Sequence, residues 1–199
     1  MPKAKNLKVR CRILESALRL FHESGYKGVS MEEVARASGV KKANLFHYYP
    51  TKEVLGIAVF DRASSCSKEK IKAEFSQGAG DPIRRIRKMF SRNAASMKAT
   101  GCCRGCFVGN LAQELSDENE KLRVRIAEHF QFWTLQLSGF LEKNKTKGYF
   151  KRTLEPSESA EALICLLEGA TLLCKARKQV RSLESAGKMA TVYLRSLRE

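Results

Sequence analysis

Four prolines, at positions 2, 50, 82 and 156, punctuate this chain, and the last three each fall where one apolar-periodic segment gives way to the next. Between them apolar residues recur every three to four positions, and β-branched alternating runs are absent. That pattern predicts an all-α protein of about nine helices.

The predicted helices follow in order. The first covers Leu7–Ser24, with Leu7, Cys11, Leu14, Leu18 and Phe21 in stripe and Ile13, Ala17 and Leu20 widening it. Gly25 is placed to end it. A short helix at Ser30–Ala37 begins with Ser30 and Glu33 spaced as a capping box. Gly39 makes a turn, a third helix covers Lys41–Tyr48, and Thr51 caps a fourth from Lys52 to Phe75. Residues 76–80 are a flexible break. Asp81 and Pro82 start a fifth helix with Ile83, Ile86, Phe90, Ala94 and Met97 on one face. A short helix at Phe107–Leu115 follows, then a long one capped by Ser116 and running to Lys145. Helices at Pro156–Lys178 and Leu183–Leu197 close the chain. The expected domains are 1–53 for the N-terminal unit, with the fourth helix as connector to 75, and 76–199 for the C-terminal unit.

Charge narrows the partners. The chain holds 37 Lys and Arg against 21 Asp and Glu, a formal net of +16. Residues 1–52 hold 11 against 4, so the N-terminal quarter is about twice as positive per residue as the remainder. Such a bias favours polyanions, nucleic acid foremost. No apolar stretch reaches the roughly 20 residues needed to span a bilayer, and Arg12 and Glu15 break any signal-peptide core. A cytoplasmic protein with no membrane partner is expected. Seven cysteines then read as reduced thiols.

Two short helices around a glycine turn describe a helix-turn-helix, whose second element lies in the major groove of DNA. Lys41 and Lys42 stand at the start of that element, where backbone N–H groups and the helix dipole favour an anion. Asn44, His47 and Tyr48 offer hydrogen bonds to phosphates or base edges. Leu45 and Tyr49 face inward, and the Lys52 ammonium stands where it could reach a flanking phosphate.

These residues resemble the helix-turn-helix of the tetracycline-repressor (TetR) family over about Leu7–Phe60. The matching pieces are Gly25-Tyr26, Ser30-Met31-Glu32-Glu33-Val34-Ala35, Ala37-Ser38-Gly39-Val40, Asn44-Leu45-Phe46-His47-Tyr48-Tyr49 and Lys52. The resemblance implies that Lys42 and Ala43 meet base edges, while Ser30, Phe46, His47, Tyr48 and Lys52 meet the backbone. Position 46 departs from it: the family usually has Tyr there, and Phe46 cannot hydrogen-bond a phosphate.

The helix at Pro156–Lys178 is apolar almost all round in its middle, so a covering surface beyond its own core is implied. With the last helix it would pair two chains in a four-helix bundle, the family's homodimer arrangement. Leu163, Leu166, Leu167, Ala170, Leu173, Met189, Tyr193 and Leu197 are the expected interface. By resemblance, the C-terminal helices enclose a pocket for a small-molecule effector, with Phe90, Met97, Arg104, Phe107, Phe130, Trp133 and Leu137 as candidate lining. Cys102, Cys103 and Cys106, beside Arg104 and near a helix start, offer a redox site. One Cys-x-x-Cys without a second ligand pair argues against structural zinc, and neither metal nor cofactor is expected.

The expected function is a ligand-responsive regulator that binds a palindromic double-stranded operator as a homodimer, released by an effector. Repression over activation is implied by the resemblance alone. A non-specific architectural DNA-binding protein and a thiol-based sensing regulator are the alternatives. No His/Glu metal pair or nucleophile elbow points to an enzyme.

Overall fold

The computed structural model describes residues 2–76 and 80–199; the centre of the expected break, 77–79, lies outside the described residues. Nine helices are described: α1 Pro2–Ser24, α2 Met31–Ser38, α3 Lys42–Tyr48, α4 Lys52–Ser76, α5 Pro82–Ala99, α6 Phe107–Leu115, α7 Glu120–Thr146, α8 Pro156–Arg177 and α9 Arg181–Ser196. The all-α architecture is the one the periodicity predicts.

Helix boundaries follow local chemistry. Asp81 caps α5 by accepting the Arg84 N–H at 2.9 Å, ahead of Pro82 in the first turn. The α7 start differs from expectation. Ser116 is not its cap; the Asn119 Oδ1 accepts the Leu122 N–H at 3.0 Å, and the helix begins at Glu120. The buried face of α1 also differs. Ile13, Ala17 and Phe21, spaced by four, carry the core, whereas Leu7 is 66 % exposed.

The chain divides into two compact units, Met1–Ser67 with Phe107–Ile126, and Lys68–Cys106 with Ala127–Glu199. The first therefore recruits α6 and the start of α7, which lie beyond residue 76. Within it, Lys121 meets Glu53 at 2.6 Å, Phe107 packs its ring edge-on to His22, and the Lys27 N–H donates to Glu114 at 3.1 Å. Its core gathers Ile13, Phe21, Val34, Leu45, Tyr49 and Leu55.

The second unit is built around α5, α8 and α9. Phe90, Ile86, Leu137, Leu163, Leu183 and Leu194 form its core. α9 approaches α5 closely at Gly187, where an added Cβ would stand 3.0 Å from the Phe90 Cβ. Thus a glycine inside a helix, weak on propensity, is explained by packing.

Candidate nucleic-acid interface

The reading element is positioned by the two ends of α2. At its start the Ser30 backbone N–H donates to the Glu33 Oε2 at 2.7 Å, and the Glu33 N–H donates to the Ser30 Oγ at 3.2 Å. The bond from the Ser30 N–H, with a second from its hydroxyl, holds the Glu33 carboxyl below its ordinary range. At its end Gly39 adopts φ 63°, with its N–H donating to the Arg36 carbonyl and the Val40 N–H to the Ala35 carbonyl. A left-handed residue closing both bonds turns the chain directly into α3.

Leu45 and Tyr49 then anchor α3. Both are essentially buried in the core of the first unit. That placement leaves Lys41, Lys42, Ala43, Asn44 and His47 exposed on the outward face. Lys41 occupies the N-cap position, and its side chain makes no capping hydrogen bond to the first turn. The result is a short basic helix whose polar groups face solvent.

Several side chains already have partners. Lys42 meets Glu32 at 2.5 Å and lies 5.8 Å from the Phe46 ring centroid. The hydrogen bond from Lys42 is the main reason the Glu32 carboxyl titrates below its ordinary value. Both ends of this ion pair are more than half exposed, the kind of pair worth little and readily exchanged for a phosphate. Tyr48 donates its hydroxyl to the Asn6 Oδ1 of α1 at 2.9 Å, while the His47 ring packs edge-on against it. Phe46 is half-buried against the core of the unit.

Two of the expected backbone contacts are placed differently from the rest. Lys52 donates to the Lys27 carbonyl at 3.2 Å and lies 4.6 Å from the Tyr26 ring centroid. Desolvation pulls its ammonium below the ordinary lysine value, with Glu114 and Glu33 opposing. Ser30 donates its hydroxyl to Glu33 at 2.8 Å, within the capping box. Glu32 and Asn6 belong to the site although neither was expected there. Glu32 was visible in the first turn of α2, but its reach to Lys42 depends on the turn.

In the second unit, Phe90, Met97 and Leu137 are buried core, and Phe130 and Trp133 pack partly buried against it. The Trp133 indole N–H is buried with no hydrogen-bond partner among the described residues. Arg104 is half-buried, and Phe107 packs in the first unit instead. All seven cysteines are free thiols. Cys102 is buried; Cys103 is exposed, its sulfur 3.8 Å from the Lys178 Nζ. Cys106 hydrogen-bonds Glu168, whose carboxyl is pushed above its ordinary value by burial. Leu163, Leu167 and Ala170 lie in the unit's own core, Leu166 and Leu197 are half-buried, and Leu173, Met189 and Tyr193 are exposed.

Comparison with known proteins completes this picture. The family model for the tetracyclin repressor-like C-terminal domain matches residues 82–190, and that for bacterial regulatory proteins of the tetR family matches residues 13–59. The chain belongs to the TetR family. It is 25% identical to the transcriptional repressor DhaR of Mycobacterium sp. strain GP1, over 88% of this chain and 87% of that one. It is 24% identical to the repressor NemR of Escherichia coli K12, over 89% of each. The fold is shared with a TetR regulator from Chloroflexus aurantiacus at TM-score 0.86 and 22% identity, covering 98% of both chains. It is shared also with the reduced form of E. coli NemR at TM-score 0.85 and 23% identity, over 96% and 97%. As a TetR-family member the chain is a ligand-responsive, DNA-binding transcriptional regulator, and its outward α3 face belongs to the helix-turn-helix. Among the described residues no helix is long and apolar enough to cross a membrane.

Proposed function

We propose that this TetR-family regulator is a cytoplasmic repressor, without enzymatic activity, that binds a palindromic operator as a homodimer. The carrying observation is the outward face of α3, where Lys41, Lys42, Ala43, Asn44 and His47 are exposed while Leu45 and Tyr49 anchor the helix. Lys42, Ala43 and Asn44 meet base edges in the major groove; Lys41, His47 and Tyr48 meet phosphates, and Phe46 contributes an apolar contact. Ser30 and Lys52 engage the backbone only by exchanging their present internal partners. One seven-residue helix offers few base contacts, so two half-sites about one helical turn apart supply the affinity.

Pairing of two chains is supported by Leu172, Leu173, Met189, Val192 and Tyr193, large apolar side chains left exposed along α8 and α9. A small-molecule effector bound in the C-terminal unit changes the separation of the two reading helices and releases the operator. Trp133, with its unpartnered indole N–H, and Phe130 are the side chains best placed to meet it. A thiol-sensing version of this regulator is favoured by one observation, the exposed Cys103 sulfur beside the Lys178 ammonium.

Selection of bound DNA from a random pool tests the reading. A repressor of this kind enriches one inverted-repeat sequence, and a small-molecule screen on that sequence finds a compound that releases it. Uniform recovery of all sequences would favour an architectural DNA-coating protein.

A further inference from the structure

Where α8 hands over to α9, the second unit carries an open bowl of about 600 Å³. Four cations line it: Lys98 near the end of α5, Lys178 at the turn, and Arg181 and Lys188 on α9. Arg181 and Lys188 are seven residues apart and so share one face of α9. Glu184 is the one acidic residue in the lining, which leaves the bowl three positive charges in excess.

The backbone around it is unusual. Among the described residues, Lys178 and Cys102 are the two non-glycine residues with positive φ, each at 55°, and both line the bowl. Such conformations are sparsely populated and gather at binding sites. The Lys178 ammonium donates to the Cys102 carbonyl at 3.4 Å, tying the two turns together. Val180 holds the N-cap position of α9, and its apolar side chain makes no capping bond.

Elsewhere, Glu74 answers two arginines of α5. Arg92 pairs with its carboxylate, and Arg85 donates to its backbone carbonyl. In the bowl, Glu184 is the one carboxylate set against Lys98, Lys178, Arg181 and Lys188. Like charges gathered around a concave surface raise the local concentration of anions. The volume also lies within the roughly 300–1,000 Å³ of small-molecule sites.

We propose that this bowl is a binding site for a small, multiply charged anion, carrying phosphate groups or several carboxylates. Lys98, Arg181 and Lys188 contact its charges directly, and Lys178 holds the floor. The lining is mostly polar and includes none of Phe90, Phe130, Trp133 or Leu137, so the site does not depend on the effector reading above.

Calorimetric titration of the full chain with pyrophosphate, at fixed ionic strength, tests this. One saturable site per chain is expected. Replacing Lys98, Arg181 and Lys188 together by Ala should weaken it about tenfold or more. Replacing Arg84, Arg87 and Lys88 on α5, which removes the same charge, should leave it intact. Lys188→Gln alone, at an exposed helical position, gives a partial loss without threatening the fold. Absence of saturable binding, or equal weakening by both triple variants, would overturn the proposal. A random-sequence DNA duplex separates the two sources of phosphate. Both triple variants should bind it alike, and selective loss by the bowl variant would assign the bowl to nucleic acid instead.

Discussion

His129 gives the C-terminal unit a calculable dependence on pH. The side chain is 2 % exposed, and burial, with a smaller contribution from Lys68, lowers its pKa from 6.5 to about 4. Its imidazole is therefore neutral in the folded unit at pH 7. In the unfolded chain it takes up a proton near pH 6.5, so the unfolded state binds more protons between about 6.5 and 4. Stability from this residue is full above pH 6.5 and falls as the solution is acidified through that window. At 1.36 kcal/mol for each pH unit between the two pKa values, the whole effect is about 3 kcal/mol, of which about 2 kcal/mol is lost between pH 7 and pH 5. Carboxylates held low, such as Glu32, Glu33, Glu53 and Asp81, lose their contribution only at lower pH. Urea unfolding followed by the fluorescence of Trp133, the single tryptophan, reads this unit directly. Wild type should lose about 2 kcal/mol from pH 7 to 5 that His129→Gln does not. The same pH slope in both proteins would refute the argument.

Other outcomes follow from the same geometry. Lys42→Ala should weaken binding to a selected operator by about 1–3 kcal/mol and relax the preference at one base pair, as read by fluorescence anisotropy across operator variants. Glu32→Gln should act in the opposite direction, because it removes a carboxylate from the DNA-facing side and releases Lys42; weaker binding by this variant would count against Lys42 as a DNA contact. Leu173→Glu with Met189→Glu should yield a species at the 22.4 kDa chain mass in sedimentation, where wild type sediments at twice that mass. Gly39→Ala should lower folding stability by about 1–2 kcal/mol in thermal melts. Its φ of 63° disfavours a side chain although no atom stands within 4 Å of the added Cβ.

The legible parts of this fold were those decided by residues close in sequence. Ser30 with Glu33, Asp81 with Pro82, and Gly39 between two short apolar periods mark their own helix ends. The α5 stripe of Ile83, Ile86, Phe90 and Met97 is buried as its spacing suggests. What escaped depends on distant partners. Lys52 reads as a free cation, yet Tyr26 and the Lys27 carbonyl, some 25 residues away, take its ammonium. Ser116 and Asn119 are both able caps, and only the fold selects the second. A helix apolar almost all round in its middle, as α8 is, does not disclose which side its own core takes. Hence Leu163, Leu167 and Ala170 sit inward while Leu172 and Leu173 remain exposed. Recruitment of residues 107–126 into the first unit has no signal in a linear reading.

Methylation protection by dimethyl sulfate addresses the α3 reading most directly, because guanine N7 lies in the major groove and adenine N3 in the minor. On a selected operator the account predicts two protected guanine clusters about 10 base pairs apart, one per half-site, both lost when Lys42 and Asn44 are replaced by Ala. Protection confined to adenine N3, or a pattern unchanged by those substitutions, would contradict it.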